Sequence, residues 1–210
     1  MIQLTNVFDR LRSAKRNLNV NKCTLATDKL QIFGFQVENG LIMPDAVKTK
    51  AVAKWPTPRT KKQLASFVGL VGYFRGHIKG FAEIALPLTE LLAKHKPDKL
   101  QWTDFHQKAF DGLKKALTSR PVLRPPDMDK DWEIWADSSK STLSAILMQR
   151  GEDNNPYVVS YASRKLLDRE TRYSTVDRET LSVIFAVSKF RHYVYGKRII
   201  VKSDHKVYNG

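Results

Sequence analysis

The spacing of apolar residues changes character twice along the chain. Near the start, Val7, Phe8, Leu11 and Leu18 recur at helical spacing, and short apolar runs follow at Leu25 and at Ile32 to Val37. Asn39-Gly40 separates two extended stretches, Gln31 to Glu38 and Leu41 to Met43. Both residue types tolerate positive φ, so the pair predicts a β-hairpin. Trp55-Pro56-Thr57-Pro58 then interrupts regular structure, because proline lacks a backbone donor and pushes the residue before it into extended forms. Thr60 can cap a helix whose Leu64, Phe67, Val68 and Val71 share one face. Two further helices are expected, one around Leu88, Leu91 and Leu92 and one around Phe105, Ala109, Leu113, Ala116 and Leu117.

A second change falls at Pro121 to Pro126, a linker with three prolines. Beyond it, Trp132 to Asp137, Leu143 to Gln149 and Tyr157 to Ala162 have the length and apolar character of strands, with Gly151 to Pro156 looping between the last two. Ser174 and Asp177 have the spacing of a capping box at the head of a long helix that ends before Gly196, and Ile199 to Ser203 form a fourth strand. The expected order is β, β, β, α, β. The fold class is α/β in three parts: a hairpin part, a helical middle beyond a boundary near Trp55 to Pro58, and beyond Pro121 to Pro126 a strand-rich stretch with one long helix. No internal repeat or low-complexity tract is present.

Composition narrows the partners. A 42% hydrophobic share supports a real core and argues against disorder. The net charge of +15 favours polyanionic partners. Residues 1–130 hold 23 basic and 11 acidic side chains, a net of +12, whereas 131–210 hold 13 and 10, a net of +3. The basic surplus is therefore upstream, where Arg59, Lys61 and Lys62 cluster at a helix start and Arg75 follows among Phe67, Tyr73, Phe74 and Phe81. Those aromatics can stack on bases or pack between helices, and the spacing of Phe67, Leu70 and Phe74 favours packing. A membrane partner is not expected, since no apolar run approaches the ~20 residues a spanning helix needs and the start lacks a signal-peptide core. Cys23 is the only cysteine, which excludes an internal disulfide and a cysteine-cluster zinc site and fits the cytoplasm or nucleus.

Three carboxylates stand out. Asp137 and Asp204 each close an apolar strand pattern, although Asp at a strand end is also ordinary turn chemistry. Glu179 falls within the helix stripe of Val176, Val183, Val187, Phe190 and Val194. A carboxylate on a core-facing stripe needs a partner, either a cation such as Arg172 or a metal ion. Two strands and the helix between them can bring these three side chains together, and hard oxygen ligands of that kind suit Mg²⁺ or Mn²⁺. Phosphodiester hydrolysis is the matching reaction class. His205 is left out of the set, and the remaining histidines lack zinc-site spacing.

Taken in order, the short blocks resemble the polymerase polyprotein of gypsy-class long-terminal-repeat retrotransposons. Val7 to Leu11 and Asn21-Lys22-Cys23 resemble the helix and KC motif that follow the family's polymerase strand, and Ile32-Phe33-Gly34-Phe35-Gln36-Val37 is similar to its primer-gripping hairpin. Trp55 to Pro58, Phe67 to Arg75, Pro87-Leu88-Thr89, Trp102-Thr103 and Pro121-Val122-Leu123 continue the series. Ala136 to Ser139, Tyr161 to Leu166, Tyr173 to Glu179 and Ser203-Asp204-His205 resemble its ribonuclease H region.

The resemblance implies a reverse transcriptase tail with a primer-grip-like hairpin (1–45), a helical thumb and connection region (46–125) and a ribonuclease H-like domain (126–210). It matches Asp137, Glu179 and Asp204 to three acidic metal ligands. RNA/DNA hybrid is the implied partner, together with the remainder of the polyprotein, and cleavage of the hybrid's RNA strand the implied activity. A non-catalytic nucleic-acid-binding or partner-binding remnant is the alternative. The family's YxDD polymerase motif has no counterpart here, and its fourth carboxylate is expected beyond Gly210, so an incomplete nuclease site is expected. Leu143-Ser144-Ala145-Ile146 and Gly76-His77 depart from the family pattern without touching a metal ligand.

Overall fold

The computed structural model describes residues 2–19, 21, 23–25, 27–119 and 122–203. In chain order these form helix α1 (Ile2–Ser13), strands β1 (Lys29–Ile32), β2 (Phe35–Glu38) and β3 (Leu41–Pro44), and helices α2 (Ala46–Ala53), α3 (Lys61–Tyr73), α4 (Phe81–Leu91) and α5 (Asp104–Thr118). Strands β4 (Trp132–Ser138), β5 (Thr142–Arg150) and β6 (Pro156–Lys165) follow, then helix α6 (Thr175–Val194) and strand β7 (Ile199–Ser203).

The first sheet is an antiparallel meander, β1-β2-β3. The stretch expected as one strand, Gln31 to Glu38, is broken at Phe33-Gly34, where φ is +50° and +78°. Two successive positive-φ residues make a tight hairpin turn that matches strand twist, and the Tyr73 hydroxyl fixes it by donating to the Phe33 carbonyl at 2.7 Å. Asn39-Gly40, at +49° and +69°, makes the second turn as expected. Helix α1 ends at Ser13, short of Leu18. Helix α2 has no counterpart in the apolar pattern because Val52 alone of its eight residues is buried; the Asp45 carboxylate caps it, accepting from the Val47 N–H.

Helices α2 to α5 enclose a core of Val52, Leu64, Phe67, Phe74, Leu88 and Phe110, among others. Phe67 and Phe110 meet with ring centroids 4.4 Å apart, so the upstream aromatics serve helix packing, while Tyr73 stays exposed. Thr60 begins α3 as expected, accepting from the Gln63 N–H at 3.3 Å.

The second sheet has the order β6-β5-β4-β7, antiparallel except for the parallel pair β4 and β7. Helix α6 makes the crossover that such a parallel pair requires. It packs Ala186 and Phe190 on Trp132, Ile134, Ala136 and Leu147. The buried stripe of α6 is Glu179, Ser182, Ala186, Phe190 and Val194, rotated from the valine-rich stripe read in the sequence. Small side chains at 182 and 186 let the helix lie close to the sheet, and Val176 is left exposed.

Several contacts fasten the sheet to the helical part. Arg75 donates to the Ser163 carbonyl, the Ala82 N–H donates to the Ser163 hydroxyl at 2.9 Å, and Lys165 pairs with Glu90 at 3.1 Å. Within the proline-rich linker, Leu123 exchanges two backbone bonds with Ile42 and the Arg124 N–H donates to Val158; Pro121 lies outside the described residues. Among the described residues, no helix is long and apolar enough to cross a membrane.

Candidate active site

The parallel register explains how Glu179 is approached. Ala136 on β4 pairs with Ser203 on β7, and Ala136 belongs to the core beneath α6. Side chains alternate along a strand, so Ser138, two residues beyond Ala136, returns to the same face. Ser174 caps α6 by accepting from the Asp177 N–H at 3.1 Å, which sets Glu179 in the helix's second turn above the ends of both strands.

Glu179 is 7% exposed. The Ser138 hydroxyl donates to its Oε1 at 2.7 Å, and the Ser203 hydroxyl donates to its Oε2 at 3.1 Å. The Ser182 hydroxyl donates to the Glu179 backbone carbonyl at 2.7 Å. Asp137 is the penultimate residue of β4 and is exposed. The structure therefore brings Asp137 and Glu179 to one end of the parallel pair. Asp204, directly after Ser203 in sequence, lies outside the described residues. Among the described residues, no group of three or more His, Cys, Asp or Glu side chains could hold a metal ion.

Two other buried glutamates behave differently. Glu170 takes a bidentate pair from Arg164, at 2.6 and 3.0 Å, and an N–H from Leu167, which together hold its carboxyl below the usual range. Burial alone would raise the Glu133 carboxyl. Donation from Arg150, Lys202 and Trp135 outweighs it, and the pKa falls to about 2. Glu179, by contrast, meets only hydroxyl donors among the described residues, and the ion pair with Arg172 is not formed there.

Of the basic residues singled out upstream, Arg59 and Lys62 are exposed beside the start of α3. Lys61 is engaged elsewhere: its ammonium donates to the carbonyls of Ala93 and Lys96, just beyond the end of α4. Arg75 donates to Ser163 and lies over the Phe81 ring, 5.5 Å from its centroid. The residues that sequence reasoning missed are Ser138 and Ser203. Their signal in the sequence is position: each adjoins one of the two candidate aspartates, Asp137 and Asp204.

Residues 102–201 match the family described as the RNase H-like domain found in reverse transcriptase. Over 200 residues the chain is 34% identical to the retrovirus-related Pol polyprotein from transposon 297 of Drosophila melanogaster, an alignment covering 95% of this chain and 18% of that protein. It is 30% identical over 189 residues to the transposon Tf2-3 polyprotein of Schizosaccharomyces pombe, covering 90% of this chain and 14% of the relative. Among solved structures, the foamy viral protease-reverse transcriptase in complex with RNA/DNA hybrid superposes with a TM-score of 0.80 at 22% identity, over 95% of this chain and 27% of that one. The same viral protein in complex with dsDNA gives a TM-score of 0.80 at 21% identity, over 97% and 42%. At such identities the shared property is the fold.

Sheet order, crossing helix and family match define the second sheet with α6 as an RNase H-like domain of the kind found in reverse transcriptase. The relatives it resembles over nearly its whole length are retrotransposon Pol polyproteins, in agreement with the gypsy-class resemblance of its sequence. It spans less than a fifth of the length of the curated relatives named here. The RNase H-like family generally uses divalent metals.

Proposed function

We propose that this chain takes part in metal-dependent cleavage of the RNA strand of RNA/DNA hybrids, with Asp137, Glu179 and Asp204 as the carboxylates that hold Mg²⁺ or Mn²⁺. The observation that carries the reading is Glu179, a buried carboxylate held by two serine hydroxyls at the ends of the parallel strands. Its donor chemistry fits the ion, since a carboxylate supplies hard, anionic oxygens. Asp137 adds an exposed carboxylate at the end of β4. Asp204 enters the proposal from the sequence, as the residue directly after Ser203. When bound, divalent ions activate water and stabilise the leaving oxygen of a phosphodiester. The protein's own part is to gather negative charge at one end of the sheet and to leave that end open to a polyanionic substrate.

Binding to the hybrid is assigned to the basic upstream part, where Arg59 and Lys62 project from the start of α3. Phosphate contacts of this kind position a duplex without reading its sequence. The test is a hybrid-cleavage assay with Mg²⁺ or Mn²⁺, comparing the parent with Asp137→Asn and Glu179→Gln. Metal-dependent cleavage that both substitutions abolish supports the proposal. Cleavage that survives both substitutions overturns it.

A further inference from the structure

We propose that Ser138 and Ser203 are positioning residues that hold the Glu179 carboxylate in place for a divalent cation, an inference that rests on reading Glu179 as a metal ligand. Each serine hydroxyl donates to a different carboxylate oxygen, Ser138 to Oε1 at 2.7 Å and Ser203 to Oε2 at 3.1 Å. The donors come from two strands, β4 and β7, that are themselves joined in parallel. The carboxylate therefore straddles the strand pair, and rotation about its terminal torsion breaks both bonds at once.

Both hydroxyls are also neighbours in sequence of the other candidate ligands, Ser138 following Asp137 and Ser203 preceding Asp204. A shift of the β4 end that moves Asp137 also moves a hydroxyl on Glu179, so Ser138 couples the helix-borne carboxylate to the strand-borne one, and Ser203 directly precedes Asp204 in sequence.

Neutral donors matter for the charge. An ionised carboxylate has about four lone-pair sites, and one hydroxyl on each oxygen leaves the others free. An arginine in the same position would orient the group equally well but neutralise it and repel a divalent ion. The molecule uses arginine on its other two buried glutamates, Arg150 on Glu133 and Arg164 on Glu170. At Glu179 it uses hydroxyls. Outer partners that orient a metal ligand in this way contribute about tenfold to a hundredfold in metal affinity.

The test is Mn²⁺ binding, by calorimetry and by electron paramagnetic resonance, to the whole chain and to substituted forms, with circular dichroism and thermal unfolding as the check on folding. Ser138→Ala and Ser203→Ala are expected to weaken Mn²⁺ binding about tenfold or more. Ser203→Thr retains the hydroxyl and is expected to keep the parent's affinity. Ser203→Val has the same shape without the hydroxyl and is expected to lose it; both side chains suit a strand, so this pair decides the question even where alanine disturbs the fold. Parent-like Mn²⁺ binding in Ser203→Val and Ser138→Ala, with binding lost in Glu179→Gln, overturns the positioning role and leaves the ligand assignment standing. A parent that binds no Mn²⁺, or a Glu179→Gln form that binds it unchanged, overturns the ligand assignment and the positioning role together.

Discussion

Replacing Glu133 by Gln removes a buried carboxylate that ties three strands of the second sheet together. Glu133 sits on β4, where it accepts from Arg150 at the end of β5 and from Lys202 of β7, the latter at 2.9 Å. Its side chain is 5% exposed, against 41% for Arg150 and 43% for Lys202. The carboxyl falls from an ordinary 4.5 to about 2: burial works against this, and the two cations with the Trp135 indole more than offset it. At about 1.36 kcal/mol per unit, an unscreened shift of that size corresponds to roughly 3 kcal/mol of stability. The cationic heads are half in water, so the retained value is about 1–2 kcal/mol.

The sign follows from proton binding. Between pH 4.5 and 2 the unfolded state holds more protons on this group than the folded state, so its contribution is present above pH 4.5 and is lost as the pH falls towards 2. Glu133→Gln should therefore lower the unfolding temperature at pH 7 by about 2–8 °C, given ~2–4 °C per kcal/mol in a chain of this size. The gap between parent and variant should narrow to roughly half or less as the pH drops to 3. Urea and thermal unfolding at pH 7, 5, 4 and 3, followed by circular dichroism, measure it. A gap that stays constant over this range, or no gap at pH 7, would refute the reasoning.

His77 is buried against Phe35, with ring centroids 5.0 Å apart, and burial, partly offset by the Ile42 backbone, lowers it from 6.5 to about 4. The folded state therefore resists protonation, and stability falls as pH drops from 6.5 towards 4; His77→Phe should flatten that dependence in thermal unfolding, and an unchanged slope counts against it. Thr60→Ala removes the cap on α3 and should cost about 1 kcal/mol in urea unfolding; a loss below a few tenths contradicts the capping role. Arg59→Glu with Lys62→Glu should weaken hybrid binding and flatten its salt dependence, whereas Lys61→Met should lower thermal stability and leave hybrid affinity alone, because its ammonium serves the Ala93 and Lys96 carbonyls. The reverse pattern in a filter-binding titration would reassign Lys61 to the nucleic acid.

Periodicity carried most of the fold. Helices α3 to α6 and all four strands of the second sheet lie where the apolar spacing puts them, because each buries a continuous stripe. The elements it did not predict lack such a stripe. Helix α2 depends on the Asp45 cap and on one buried valine, and the break at Phe33-Gly34 puts a phenylalanine at positive φ, a conformation that composition does not foretell. The linker was also more structured than its prolines suggested, since Leu123 and Arg124 bond to Ile42 and Val158 on the two sheets.

The carboxylate and its partners differ in how far they can be read from sequence. Glu179 announces itself because a charge on a helix's core-facing stripe violates local pattern, and such a violation needs a compensating contact. Ser138 and Ser203 violate nothing, since serine is unremarkable at a strand end. Their role comes only from the register that pairs Ala136 with Ser203 and from the face on which α6 lies, both of which are tertiary facts. The same holds for Lys61, whose charge looked available to phosphate until the end of α4 was seen to lie within its reach. Charge and amphipathic pattern therefore identify which side chains need partners. Which partner each one finds is settled by packing, and packing gave the arginines to Glu133 and Glu170 and the neutral hydroxyls to Glu179.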